Sequence, residues 1–432
     1  MNVKQEKVWY KIGVHMTIPE LHQLFLQTSG ISTDTRKIFP NSLFIALKGE
    51  SFDGNLFVIE ALEKGAAFAL VSDENLKKEK KYADKIIVVE DTLLTLGELG
   101  RYHRRQFSIP VIGITGTNGK TTTKNLMGDV LSSKYQVTKT EGNLNNRIGV
   151  PLTLLRITKH TEIAIIEMGE SLMDEIKILS AIAEPTHGLI TNIGLAHLEG
   201  LKNKAGVAEA ESELYIWLRD HAGVAFVNKY DKDLTSLIYK IDPLHFLENI
   251  LYGDEIVPEN KNLIGDFNKE NMKTASAIGH YFKVKKTDIT KALKNYEPTN
   301  MRSQWIATQK ENDILLDAYN ANPSSMRAVL KAFSDLETNN VKWLILGDMR
   351  ELGEESQKEH ENILWEILKL NLNNVILIGE EFYQAHQKNK RYASFNTKEE
   401  CIASHLLESI KRSTILIKGS NGMKMWELVP ML

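Results

Sequence analysis

One cysteine, Cys401, in 432 residues excludes an intrachain disulfide and a metal cluster built on cysteines. A reducing, cytoplasmic setting is the expectation that follows. Long apolar runs are missing too: no stretch nears the roughly eighteen residues of a membrane-spanning helix, and Met1 to Thr17 mixes charges and aromatics without an apolar core. No membrane insertion is expected. Charge of one sign is scarce, because 53 Lys+Arg stand against 56 Asp+Glu for a formal net charge of -3, which removes any global attraction for nucleic acid. Arg101, Arg104 and Arg105 remain as a local basic patch whose ordinary reading is a solvated helix end. Internal repeats and low-complexity tracts are absent, and the lysines of Leu76 to Lys81 read as a solvated helix or loop.

What is present is a globular composition, 42% hydrophobic and 25% charged, in a chain longer than one hydrophobic core usually organises. Short β-branched runs alternate with helix-like stretches, which predicts an α/β fold with mostly parallel sheets. The first runs are 43–47, 67–71 and 86–89, in a small α/β domain. A second series, 111–115, 163–166, 188–192 and 224–227, predicts a central doubly wound, mostly parallel sheet. A third, 314–316, 343–346, 375–378 and 415–417, predicts a C-terminal Rossmann-like α/β unit. The expected domains are 1–107, 108–299 and 300–432.

The most informative segment is Val111-Ile-Gly-Ile-Thr-Gly-Thr-Asn-Gly-Lys-Thr-Thr-Thr123, where a buried-strand pattern runs into a Gly-Lys-Thr turn and a helix-forming stretch. Glycines let backbone N–H groups close on phosphate oxygens, and the helix that follows aims its positive end at the same anion. Lys120 would neutralise the outer phosphates and Thr121 would hold Mg²⁺. The strict Walker spacing is not met, since Ile114 stands where the first glycine belongs.

Other polar loops follow predicted strands, where ligands of doubly wound folds gather. Glu167 ends one strand and is placed either for Mg²⁺ or as a helix cap. His197 and Glu199 follow the next; the histidine either ligates a second metal, orients a phosphate or is structural. Asparagine-rich turns at 142–146 and 318–323 suit tight turns or polar recognition equally. Asp317 could meet a ribose hydroxyl, and the loops 347–353 and 418–422 repeat the pattern. Such a set of loops suggests a ligand cleft.

These segments resemble the Mur ligase family along nearly the whole chain. Ile31 to Arg36 and Ala46 to Gly54 look like its UDP-binding domain, Thr115 to Thr122 like its ATP loop, and Gly142 to Pro151 like its muramyl-substrate segment. Asp317 to Pro323 and Leu346 to Glu355 resemble the member that adds D-alanyl-D-alanine to UDP-N-acetylmuramoyl-tripeptide. The resemblance implies an ATP-driven amide ligation in peptidoglycan precursor synthesis, through an acyl phosphate, by a monomer. It implies ATP contacts from Thr115, Gly116, Thr117, Asn118, Gly119, Lys120, Thr121 and Thr122, from Asn268 and Asn271 near adenine, Arg302 near the phosphates and Asp317 near the ribose. Asn268 and Asn271 are equally plain helix caps on their spacing. Lys120, His197 and Arg302 become the catalytic candidates, and Thr121, Glu167, His197 and Glu211 the Mg²⁺ candidates. Substrate contacts are implied for Ser32, Thr33 and Asp34, for Asn143, Asn145 and Asn146, and for Asn320, Asn322 and Ser420.

The chain departs from the family at telling places. Glu211 stands where relatives carry a lysine that several of them carbamylate to hold a second Mg²⁺, so a carboxylate would have to serve directly; the alternative is one more member of an acidic helix face with Glu209 and Glu213. Gly169-Glu-Ser-Leu172 replaces a usual Gly-Ala-Asn-His, altering Ser171 and Leu172. Asn421 replaces an arginine near the expected amine acceptor, removing bidentate reach toward a carboxylate. A different acceptor, or a nucleotide-binding relative that lost turnover, are the competing expectations.

Overall fold

The computed structural model describes residues 16–432 apart from 50, 51, 242–244, 247, 388 and 389. Residues 1–15 of the Met1 to Thr17 stretch, and Glu50 and Ser51 of the Ala46 to Gly54 segment, therefore lie outside the described residues. Sixteen strands are described, in three sheets. The first holds β1 (Ile31–Ser32), β2 (Leu43–Ile45), β3 (Phe68–Val71) and β4 (Ile86–Val88), paired in parallel in that order. The second holds β5 (Val111–Thr115), β6 (Val137–Lys139), β7 (Ile163–Glu167), β8 (His187–Ile190), β9 (Val224–Asn228) and β10 (Glu248–Tyr252), in the order β10-β9-β8-β5-β7-β6.

The third sheet has the order β11-β12-β16-β13-β14-β15, from β11 (Gln304–Ala307), β12 (Asp313–Asp317), β13 (Val341–Gly347), β14 (Asn374–Ile378), β15 (Ala393–Phe395) and β16 (Ser413–Lys418). Only β11 runs antiparallel there, against β12. The α/β, mostly parallel architecture expected from the alternation is thus present. Central strands such as Val111–Thr115 and Ile163–Glu167 are buried throughout, because helices cover both faces of a parallel sheet. The strands the hydrophobic pattern did not show are β1, β6, β10, β11 and β15. All five are sheet edges, where one flank faces water and the sequence need not be apolar.

By contacts the chain forms two compact units, residues 1–113, 136–168 and 177–186 in one and 114–135, 169–176 and 187–432 in the other. In the first, Leu21, Phe25, Leu43, Ile45, Leu70, Leu96, Leu99 and Leu155 form one core. Thr17 and Glu20 make a capping box at the helix Ile18–Phe25, and Asp91 caps Thr92–Arg104 through Leu93 N at 2.8 Å and Leu94 N at 3.0 Å, which fixes both starts. The basic patch is a solvated helix end only in part: Arg101 Nε and exposed Arg105 Nε reach Glu184 Oε1 at 3.0 and 2.9 Å, while buried Arg104 donates to Ala183 O and Phe107 O. In the second unit two clusters cover the two faces of the third sheet's strands, one including Leu315, Phe333, Leu344, Ile363 and Leu416, the other Ile314, Ile345, Ile376, Ile415 and Met425.

Burial places histidines where a proton is unwelcome. In the first unit His22 Nε2 meets His103 Nδ1 at 2.9 Å, and burial lowers the pKa of both. In the second unit burial holds His187 down to about 4 from an ordinary 6.5. The unfolded chain then binds more protons than the folded one below 6.5, so stability is complete above that pH and falls as the pH drops toward 4. Urea unfolding at pH 7 and pH 5 should show a loss of about 1–2 kcal/mol assignable to His187, this side chain being partly solvent-screened. His187→Gln should lack that share of the slope; an unchanged slope would refute the assignment.

Candidate active site

The turn between β5 and the helix Lys120–Ser132 is built on two glycines with positive φ, Gly116 at 124° and Gly119 at 82°. A Cβ on Gly116 would lie 2.1 Å from Thr191 Oγ1, and one on Gly119 would lie 2.6 Å from Asn271 Oδ1. Both positions therefore require glycine for conformation and for space. Gly119 caps the helix without a side chain, leaving its first N–H groups to an anion.

The loop is stitched to the loop after β8. Thr117 N donates to Asn192 O at 3.0 Å, Asn118 N to Asn192 Oδ1 at 3.1 Å, and Gly194 N to Thr117 Oγ1 at 2.8 Å. Asn192 is a site-building residue that the sequence pattern did not single out, since its partners lie more than seventy positions away. Asn322 Nδ2 reaches Asn118 Oδ1 at 2.9 Å, while Asn322 Oδ1 caps the helix Pro323–Asp335 at Ser325 N. Asn271 Oδ1 accepts from Thr123 Oγ1 at 3.1 Å, and Asn271 Nδ2 donates to Asn268 Oδ1 at 3.3 Å. Both asparagines are buried on the helix Asp266–Tyr281 behind the phosphate loop, so neither acts as a plain cap.

Lys120 Nζ donates to Gly116 O and lies 3.8 Å from Glu170 Oε2. Glu170 is buried and Glu211 wholly so. Among the described residues neither Glu170 oxygen accepts a hydrogen bond, nor does Glu211 Oε1, while Glu211 Oε2 accepts from Thr115 Oγ1 at 2.6 Å. Burial, and then the adjacent Glu170 carboxylate, push the Glu211 carboxyl well above its usual range. A proton on Glu211 can bridge the two, leaving one negative charge opposite Lys120. Glu211 is thus no member of an exposed acidic face. Glu170, which stands where the family's usual residue is alanine, is a site residue that the sequence showed only as a departure.

His197 sits in left-handed backbone, φ 51°, and its Nδ1 meets Glu351 Oε2 at 2.7 Å, a bond that lowers the Glu351 pKa. Among the described residues no three His, Cys, Asp or Glu side chains are grouped to hold a metal ion. Paired carboxylates still fit Mg²⁺, which is commonly held by one or two of them together with substrate phosphates. Buried Thr121, in the first turn of the helix Lys120–Ser132, and Thr122 after it complete the loop.

Around β12 and β16, Lys418 Nζ donates to Asp317 Oδ2 at 2.6 Å and to Asn320 O at 3.0 Å, and Ser303 N donates to Asp317 Oδ1. Arg302 lies over the Tyr319 ring at 3.8 Å. Ser420 is buried and accepts from Arg350 N at 2.8 Å. In the other unit, Asn145 Nδ2 donates to Glu167 Oε1 at 2.9 Å, Asn146 Oδ1 receives Ile148 N and Gly149 N, and Asn143 O receives Asn145 N. There too, Ser32 Oγ donates to Asp34 O across Thr33, and Arg36 holds the half-buried Asp34 down to about 2.

Strand, phosphate loop and helix on a parallel sheet, with polar loops at the strand ends, define an α/β nucleotide-binding protein of the phosphate-loop class. Profiles of the Mur ligase catalytic domain, the middle domain and the glutamate ligase domain match residues 27–104, 114–256 and 301–421. The UDP-N-acetylmuramoyl-tripeptide–D-alanyl-D-alanine ligase of Bacillus subtilis (strain 168) is 35% identical over 426 residues, covering 93% of this chain and 92% of that protein. The enzyme of that name from Escherichia coli (strain K12) is 31% identical, covering 95% of each. A crystal structure of MurF from Acinetobacter baumannii matches with TM-score 0.80 at 29% identity, over 95% of this chain and 97% of that one. The chain belongs to the Mur ligase family.

Proposed function

We propose that the chain is the ATP-dependent ligase that joins D-alanyl-D-alanine to UDP-N-acetylmuramoyl-tripeptide in peptidoglycan precursor synthesis. The likeness to ligases of that name along more than nine-tenths of the chain carries this reading. The domains are 1–107 for the UDP end, 108–299 for ATP and 300–432 for the amine. The tripeptide carboxylate attacks the γ-phosphate of ATP, ADP leaves, and the amine displaces phosphate from the acyl phosphate. Lys120 and the N–H groups after Gly119 receive the phosphoryl charge, and no covalent enzyme intermediate is needed. Mg²⁺, when bound, screens the phosphate oxygens. Thr121, Glu167, His197 and Glu211 are assigned to Mg²⁺, with Glu170 backing Glu211. Asn268 and Asn271 support the adenine side, Asp317 the ribose, and Arg302 the phosphates. Ser32, Thr33, Asp34, Asn143, Asn145, Asn146, Asn320, Asn322 and Ser420 serve the substrates, the last two through the loops they hold. The enzyme works as a cytoplasmic monomer; no helix among the described residues is long and apolar enough to cross a membrane.

The test is incubation with ATP, Mg²⁺ and UDP-muramyl tripeptide, with and without D-alanyl-D-alanine. Phosphate and product that both require the dipeptide are expected. Product with a different amine only, or nucleotide binding without turnover, refutes the reading. Within an active enzyme, Glu211→Gln should raise the Mg²⁺ concentration for half-maximal rate by about tenfold or more, the loss of one charge-assisted contact. An unchanged Mg²⁺ dependence sinks the assignment of Glu211.

A further inference from the structure

The loop after β13, Asp348 to Leu352, is held at three points in the second unit. Asp348 Oδ1 and Oδ2 accept from Phe382 N and Glu381 N at 2.9 and 3.1 Å, Arg350 N donates to Ser420 Oγ, and Glu351 meets His197. Arg350 is therefore fixed at its backbone, between the His197 loop and the loop after β16. Its side chain is exposed and its guanidinium lies against Gly422, so close that a Cβ there would be 2.3 Å from the NH1 nitrogen. Its one described side-chain polar contact is weak, to Met423 Sδ at 4.0 Å, and it has no ion pair among the described residues.

Three other cations of the second unit are committed. Lys418 is tied to Asp317, Arg327 NH2 to Glu359 Oε2 at 2.5 Å, and Lys398 to Glu427. Arg350 alone among these presents an uncommitted planar fork, at the carboxyl ends of the parallel strands β13 and β16, where ligands of such sheets bind. It lies beside Asn421, whose side chain brings no charge.

We propose that Arg350 binds the carboxylate of the incoming amine substrate, fixing the amine end toward the acyl phosphate. This rests on the ligase reading, which makes the acceptor a dipeptide with a free carboxylate. A guanidinium grips such a group with two parallel N–H donors. Arg350 is then a specificity-determining residue: it selects acceptors that end in a carboxylate.

The experiment compares D-alanyl-D-alanine with its C-terminal amide, in the wild type, Arg350→Ala and Arg350→Lys. For the wild type the amide should raise the acceptor KM by about 10–100-fold, the range of a charged hydrogen-bonded contact. Arg350→Ala should raise the KM for the dipeptide by a similar factor, lose the discrimination against the amide, and keep the ATP KM and the unfolding midpoint. Arg350→Lys should recover part of the discrimination, as a charge without the fork. Discrimination that survives in Arg350→Ala overturns the assignment while the ligase reading stands. A wild type that rejects the dipeptide yet ligates another amine overturns the ligase reading, and this inference with it.

Discussion

Lys120→Met should lower kcat for ADP formation by roughly three orders of magnitude, the scale of losing one preorganised charge at the transferred phosphoryl group. It should also cost about 2–4 kcal/mol of stability, because removing one partner of a buried pair strands the other. The stranded group is Glu170, 3.8 Å from Lys120 Nζ and already beside Glu211. The two effects have separate causes, and a second substitution separates them. In Lys120→Met with Glu170→Gln most of the stability should return, since no buried charge is left unpaired, while the rate stays low. Denaturant unfolding and a coupled ADP assay read both quantities. If the double variant regained activity, Lys120 would be acting only as a structural counter-charge.

Gly116→Ala should abolish measurable nucleotide binding, an affinity loss of about 100-fold or more, with an unfolding penalty of about 2–4 kcal/mol. At φ 124° an alanine is strained whatever the space, and here its Cβ would stand 2.1 Å from Thr191 Oγ1 and 2.7 Å from Thr191 N. Thr191 cannot retreat freely, because its hydroxyl donates to Asn118 O at 2.6 Å and its N–H to Thr115 O at 2.9 Å. The loop must yield instead, and with it the N–H groups that face phosphate. Gly142→Ala is the comparison: φ is also positive at 53°, but nothing lies within 4 Å of the new Cβ, so only about 1 kcal/mol is expected. Calorimetric titration with ADP checks the binding, and wild-type affinity in Gly116→Ala would contradict the account of the loop.

The legible parts of this protein were those in which one short segment carries its own physics. Buried strands carry apolar runs, so β5, β7, β9, β12, β13, β14 and β16 stand out from the sequence alone. Their edge partners β6, β10, β11 and β15 do not, because pairing is supplied by a neighbour while water accepts their polar residues. The phosphate loop is legible for the same reason as the central strands: glycine spacing is a local code for backbone shape. Asn192 was not, although it holds the loop by three hydrogen bonds, since an asparagine after a strand looks like any turn residue. Ser420 and Asn322 were marked as substrate contacts, and their polar atoms are engaged in holding neighbouring loops.

By itself the amino-acid sequence determined the α/β alternation, the position of the phosphate loop and the exclusion of disulfide and cysteine-metal chemistry, all consequences of residue type and near-neighbour spacing. Only the tertiary structure decided which charges meet. In the sequence Glu170 appears only within a departure from the family and Glu211 as one of three acids on a helix, yet folding buries both beside Lys120. Arg350 is simply one residue of the loop 347–353 in the sequence, yet in the fold its exposed guanidinium has no ion pair among the described residues. Electrostatic energy depends on distance and on the exclusion of water, and both are properties of the folded chain.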